Sequence, residues 1–134
     1  MNGGSRHFFG AKSEQILTSV IPELDLLAHK VISLSPVDFA VVEGLRTTKR
    51  QKMLYNSGKS KTLNSKHCEG KALDIVPWLD NDCDYEAVSD CCFLVGLFYG
   101  VAKTLGLDLR VGALWDGNSI KNNRFVDVWH IETL

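Results

Sequence analysis

The sequence has almost no net charge: 15 basic and 16 acidic residues leave −1 at neutral pH. A chain so balanced has no long-range field to draw in nucleic acid or an anionic membrane surface, and neither is expected as a partner. Long apolar runs are missing too. No stretch reaches the roughly 20 residues a membrane span needs, so no membrane insertion is expected. The opening MNGGSRHFFGAKSEQ has no apolar core behind a basic segment, the mark of an export signal. Synthesis is therefore expected to end in a cytoplasm. Cysteine is sparse, and Cys68, Cys83, Cys91 and Cys92 show no CxxC spacing. Cys91 and Cys92 are adjacent in a helical pattern, where neighbours point about 100° apart, a poor geometry for a shared ligand set or a disulfide. Reduced, partly buried thiols are expected. Cys68, pointing away from its neighbour His67 on a strand or turn, is read as structural rather than as a ligand. No internal repeat or composition break marks a second domain.

What remains is one ordinary domain, residues 1–134, with 45% hydrophobic content to build a core. From Ser13, Ile16, Leu17, Val20 and Ile21 share one helical side; Pro22 kinks that helix or opens another, in which Leu24, Leu27, Ala28, Val31 and Leu34 recur at helical spacing. His29 in this helix and His7 near the N-terminus are read as surface or satisfied histidines. Val37 to Glu43 has strand composition, and Thr48 with Gln51 has the spacing of a capping box for a short helix reaching about Tyr55. Asn56 to Asn64 reads as an exposed loop. Ala72-Leu73-Asp74-Ile75-Val76 reads as a strand ended by Pro77, and the acidic turn Asp80 to Asp84 as a helix cap rather than a calcium loop. Tyr85 to Leu105 is the longest helical pattern, with Val88, Cys91 or Cys92, Val95, Phe98 or Tyr99, and Ala102 inward and Gly106 at its end. Leu107 to Trp115 and Phe125 to Leu134 read as strands, flanking a polar loop from Asp116 to Arg124 placed to overhang a site.

The chemistry gathers in two separated stretches, Ser65 to Asp74 and Asp127 to Glu132. Asp74 interrupts an apolar run, and a carboxylate buried there needs a partner or a cation. His67 is the nearest candidate, since Gly70 lets the backbone turn back between them. His130, on the closing strand, supplies a third donor. Two histidines and an aspartate with one open position make a catalytic zinc arrangement, in which water is activated for hydrolysis. Two carboxylates, Asp127 and Glu132, are candidates for the general base, and the other would orient a histidine. Arg46, where a strand hands over to a helix, either reaches into the cleft or forms a surface salt bridge. Arg46 and Ser65 are placed to grip a substrate carboxylate or a developing oxyanion. Read without a metal, a strand histidine and a buried ion pair explain each half.

The pattern Ser65-x-His67-x-x-Gly70-x-Ala72-x-Asp74 followed by Asp127-x-x-His130-x-Glu132 resembles the zinc D-alanyl-D-alanine carboxypeptidase and dipeptidase superfamily, whose fold is shared by the hedgehog signalling domain. Within it the chain is similar to the phage L-alanyl-D-glutamate endopeptidases, endolysins that cut peptidoglycan stem peptides. Phe9-Gly10, the Leu34-Ser35-Pro36 helix end, Val42 to Thr47 with Gln51, and Arg110-Val111-Gly112-Ala113-x-Trp115 extend the likeness along the chain. The resemblance implies an α+β fold with a small antiparallel sheet and helices packed on one side. It implies His67, Asp74 and His130 as Zn²⁺ ligands, Asp127 as base, Glu132 as a supporting carboxylate, and Arg46 and Ser65 at substrate- and transition-state-binding positions. It further implies a monomer that acts on peptidoglycan after holin-type release and lyses the host. The alternatives are a D-Ala-D-Ala carboxypeptidase or dipeptidase and a non-catalytic zinc-binding module. Val128-Trp129 departs from the small residues or proline common in relatives, and two bulky side chains there are expected to reshape the cleft floor.

Overall fold

The computed structural model describes residues 7–114 and 127–134. Helix α1 (Ala11–Leu17) is followed by α2 (Pro22–Leu34), where proline takes the first turn and its missing N–H costs no helical bond. Leu24, Leu27, Ala28 and Val31 of α2 are fully buried, forming the stripe that the spacing predicts, whereas Leu34 at the helix end is exposed. Then come β1 (Phe39–Glu43), α3 (Thr48–Asn56), β2 (Ala72–Leu79), β3 (Asp82–Cys83), α4 (Val88–Thr104), β4 (Leu109–Val111) and β5 (His130–Thr133). The expected α+β class is the one observed. No helix among the described residues is long and apolar enough to cross a membrane.

The sheet is antiparallel, in the order β1-β2-β5-β4, with β3 folded back onto the far end of β2. Strand alternation gives it two chemically distinct faces. Val41, Leu73, Ile75, Leu109, Val111 and Ile131 join Leu17 of α1, the α2 stripe, and Leu94 and Phe98 of α4 in the core. On the opposite face Asp74 pairs with His130, and Glu132 stands opposite Ala72 on one side and Arg110 on the other. In β1 the register shifts: Val41 opposes Ile75 and Glu43 opposes Asp74, leaving Val42 as the extra residue of a bulge. The bulge puts Glu43 on the Asp74 face. Just beyond, Gly44 packs bare backbone against α1, since a Cβ there would lie 2.9 Å from both Ile16 Cγ2 and Val20 Cγ1.

Several local expectations are corrected. Thr47, not Thr48, caps α3, its hydroxyl accepting from the Arg50 N–H at 3.1 Å; Gln51 is freed from capping. β2 continues through Pro77 to Leu79, because the neighbouring groups carry the ladder: Trp78 N–H donates to Asp38 O and Asp84 N–H to Pro77 O, both at 2.9 Å. The acidic turn is a hairpin, with Asp80 and Asn81 both at positive φ (53° and 65°), and not a helix cap. Asp84 accepts from the Glu86 N–H, while α4 starts at Val88 with no side-chain cap. Val88 and Tyr99 are exposed; Cys91 and Phe98 are the buried members of the pairs left open. Burial pushes the Cys91 thiol up to about 12, consistent with an inert reduced cysteine, and the four cysteines form no disulfide. Strand β4 ends at Val111 and turns into a 3-10 segment, Gly112–Leu114, and β5 is only His130–Thr133, preceded by a turn. Trp115, Phe125 and the Asp116 to Arg124 loop lie outside the described residues.

Candidate metal centre and cleft

His67 is delivered by a single 3-10 turn, Lys66–Glu69, immediately before β2. Ser65 caps that turn, its Oγ accepting from the His67 N–H at 3.1 Å. Gly70 ends it in the left-handed region at φ 68°, where a Cβ would be strained. The chain then doubles back, and β2 carries Asp74 to the imidazole. His130 reaches the same carboxylate because it is the residue directly opposite Asp74 in the β2–β5 ladder.

The two imidazoles are wired alike. His67 is 1% exposed, and its Nδ1 lies 2.8 Å from the carbonyl oxygen of Gly44. A carbonyl only accepts, so Nδ1 carries the hydrogen, and in the neutral ring the lone pair sits on Nε2, 3.1 Å from Asp74 Oδ1. His130 holds its Nε2 2.8 Å from Glu132 Oε1 and turns Nδ1 to the same Asp74 oxygen at 3.3 Å. The ring centroids are 5.0 Å apart in an edge-on arrangement, and one ligand atom from each of His67, Asp74 and His130 lies within 4.8 Å of the others.

Three electron-pair donors facing one point repel unless a cation or a proton stands among them. Two imidazole nitrogens and a carboxylate oxygen, each ring anchored through its other nitrogen, suit zinc, and the residues present fit that ion. Protonation is the competing solution. Burial pulls the His130 pKa down, but hydrogen bonds with Asp74 and Glu132 and the charge of Asp127 push it up to about 9. Burial likewise disfavours the ionised Asp74, yet its bonds to His130 and His67 hold the carboxyl well below the usual carboxylate range.

Asp127 sits in the turn leading to β5, its backbone oxygen accepting from the His130 N–H at 3.1 Å. Burial, reinforced by the charge of Asp74, raises its pKa, the direction that suits a proton acceptor near neutral pH. The Arg46 side chain is 9% exposed; Nη1 donates to Gln51 Oε1 at 2.7 Å, while Nη2 donates to Glu43 and lies 3.9 Å from Asp74 Oδ2. Arg46 is thus an interior residue, not a surface salt bridge. These groups line a cleft of about 730 Å³ together with Ser65, Trp129 and the 59–66 segment.

Across residues 6–134 the sequence matches the family described as phage L-alanyl-D-glutamate peptidase. The chain belongs to this family. One relative, the L-alanyl-D-glutamate peptidase of Escherichia phage T5, is 34% identical over 113 residues, 82% of each chain. The crystal structure of the Serratia marcescens L-Ala D-Glu endopeptidase ChiX is similar with a TM-score of 0.83 and 27% identity, covering 96% of this chain and 90% of that one.

The fold therefore brings His67, Asp74, Asp127, His130, Glu132, Arg46 and Ser65 to one cleft. Of the Val128-Trp129 pair only Trp129 lines it, edge-on to Tyr85 at 5.8 Å; Val128 is 2% exposed in the core and leaves the cleft floor alone. His29 and His7 stay outside. His29 bonds Glu14 and Asp25, and His7 lies near Pro36 O and Asp38. Three supporting groups escape the sequence reading. Glu43 pairs with Arg46 three residues on, a charge spacing that was available as a signal. The Gly44 carbonyl had no signal in residue type. Gln51, fully buried, donates from Nε2 to Ser60 Oγ at 2.9 Å and Thr62 O at 2.6 Å, tying Arg46 to the connection after α3.

Proposed function

We propose that the chain is a zinc-dependent endopeptidase that hydrolyses the L-Ala–D-Glu amide of peptidoglycan stem peptides, acting as a monomeric, single-domain phage endolysin that lyses the host after holin-type release. Peptidase activity on the L-alanyl-D-glutamate bond rests on membership of the family. Zinc dependence rests on one observation: the inward ring nitrogens of His67 and His130 converge on a single oxygen of Asp74, with Asp127 buried in the same cleft. Zinc bound by His67, Asp74 and His130 would supply Lewis-acid polarisation to the scissile carbonyl and to water.

The residues of the chain do the rest. Asp127 accepts a proton from the attacking water as its oxygen bonds to the carbonyl carbon, and returns it to the glutamyl nitrogen as the C–N bond breaks. The products are a carboxylate on L-alanine and a free amine on D-glutamate. Arg46, fixed by Glu43 and Gln51, presents positive charge to the oxyanion, and Ser65 offers its hydroxyl hydrogen to substrate while its oxygen caps the His67 turn. Glu132 holds His130 in the tautomer that turns Nδ1 inward.

Digestion of purified peptidoglycan tests this directly. New N-terminal D-glutamate should be released, and the release should stop after chelation and return with added zinc. Cleavage between D-alanines would move the chain to a carboxypeptidase reading; undiminished activity in Asp127→Asn would remove the mechanism.

A further inference from the structure

Charge is unevenly distributed along this near-neutral chain. Seven of its 15 basic residues and none of its 16 acidic ones fall between Arg46 and Lys66: Arg46, Lys49, Arg50, Lys52, Lys59, Lys61 and Lys66. The fold turns part of this run into one wall of the cleft, where Lys59 and Lys61 stand on the connection between α3 and the His67 turn and Lys66 opens that turn. That connection is held by side-chain hydrogen bonds despite its polar composition. Gln51 fastens Ser60 and Thr62 from inside, the Thr62 N–H donates to Ser60 Oγ, and the Asn64 N–H donates to Thr62 Oγ1 at 2.9 Å. Of the acidic groups in the same cleft, Glu43 pairs with Arg46 and Arg50, Asp74 and Glu132 pair with the imidazoles, Glu69 lies within 3.7 Å of Lys71, and Asp127 adds a further carboxylate on the metal-centre side.

The bond cut supplies the complementary chemistry. A glutamyl residue whose amino group is in the scissile amide still has two carboxyl carbons; in a linear peptide one carries the chain onward and the other, unless amidated, is ionised. The alanyl side contributes no such charge. We propose that Lys59, Lys61 and Lys66 form a carboxylate-binding subsite for the D-glutamyl side of the substrate. The leaving half of the peptide then runs along the α3-to-His67 wall, with the alanyl half on the opposite side of the metal centre. This inference rests on the L-Ala–D-Glu reading and adds the direction of the substrate. Lysines suit such a role because flexible ammonium groups tolerate variable carboxylate positions, whereas a bidentate guanidinium fixes one.

The test uses two soluble peptides containing L-Ala–D-Glu, one with the free glutamyl carboxylate and one with it amidated, and the full chain loaded with zinc. For the free acid, Lys59→Ala/Lys61→Ala/Lys66→Ala should raise KM roughly tenfold at low salt with kcat within about twofold of wild type, and Lys→Arg at all three positions should restore most of the loss. For the amidated peptide the same triple change should leave KM unaltered. Calorimetric binding of the free acid to the Asp127→Asn background should weaken in parallel. Equal KM for both peptides in wild type, or a triple variant indistinguishable from it on the free acid, overturns the subsite while leaving the peptidase reading intact. Failure of wild type to cut either peptide overturns that reading instead. A loss confined to intact wall material and absent with soluble peptide assigns the lysines to polymer attraction and also overturns the subsite. Circular dichroism confirms that the variant is folded.

Discussion

Two clusters of this molecule have nearly the same ingredients and opposite properties. On the helical side, His29 touches Glu14 Oε1 at 2.7 Å and Asp25 Oδ1 at 3.0 Å, with its ring 42% exposed. On the sheet, His67 and His130 meet Asp74 at 3.1 and 3.3 Å with side chains 1% and 8% exposed. Both clusters combine imidazole with carboxylate. In the first, both ring nitrogens face carboxylates and a proton on each satisfies them, so the cluster is complete as an ion pair. In the second, each ring uses one nitrogen to bind an acceptor behind it and aims the other at a shared oxygen, so the cluster needs either a proton or a metal ion at its centre. How the ring nitrogens are aimed, more than which residues are adjacent, separates a salt bridge from a candidate metal centre.

Substitutions can break this contrast, beginning with the ligands. His67→Ala or His130→Ala should lose bound zinc and peptidase activity together, to below about one part in a thousand of wild type, whereas His29→Ala should keep both; metal analysis alongside peptide turnover reads the difference. Asp127→Asn comes next. It should retain a full equivalent of zinc while kcat falls about 10²- to 10⁴-fold, and loss of metal would move Asp127 into the ligand set. Glu132→Gln removes only the anchor behind His130 and should weaken zinc affinity about 10- to 100-fold in competition with a chromophoric chelator.

Proton and metal compete for the sheet cluster, which sharpens the comparison through pH. The folded pKa of His130 is raised to about 9 from an ordinary 6.5. Its contribution to metal-free stability is therefore full below 6.5 and is lost as pH climbs through 9. Denaturant melts of the chelated protein should show stability falling across that window, and zinc-loaded protein should not, because the ion takes over the proton's role. The smallest effect is expected from His29→Gln, with unfolding free energy changed by less than about 1 kcal/mol, since exposed ion pairs contribute little.

Much of this arrangement was readable in the chain because it follows from period-two alternation. Once Ala72 to Val76 and the segment around His130 are strands, Asp74 lands on the face away from Leu73 and Ile75, and His130 lands on the face of Glu132. The helical stripe of α2 and its opening at Pro22 were legible for the same reason. Other features depend on partners distant in sequence. Nothing local shows that Gln51 is buried and serves Arg46, Ser60 and Thr62, and the capping-box spacing selects Thr48 where its neighbour Thr47 is the cap of α3. Pro77 reads as a terminator until β3 and the residues flanking it supply the missing ladder bonds. The pairing of Glu43 with Asp74 was hidden because a bulge cannot be counted from composition.

Gly44 joins two parts of the molecule that would otherwise be independent. Its carbonyl chooses which nitrogen of His67 is bare, and its missing side chain lets Ile16 and Val20 lean on the backbone at that spot. A single added methyl group would wedge the helix and the carbonyl apart, so a change made among aliphatic neighbours would be felt at the His67 imidazole, the proposed zinc ligand. Zinc affinity at such a site would therefore be set partly by the fit of two oily side chains packed behind the imidazole rather than beside the ion.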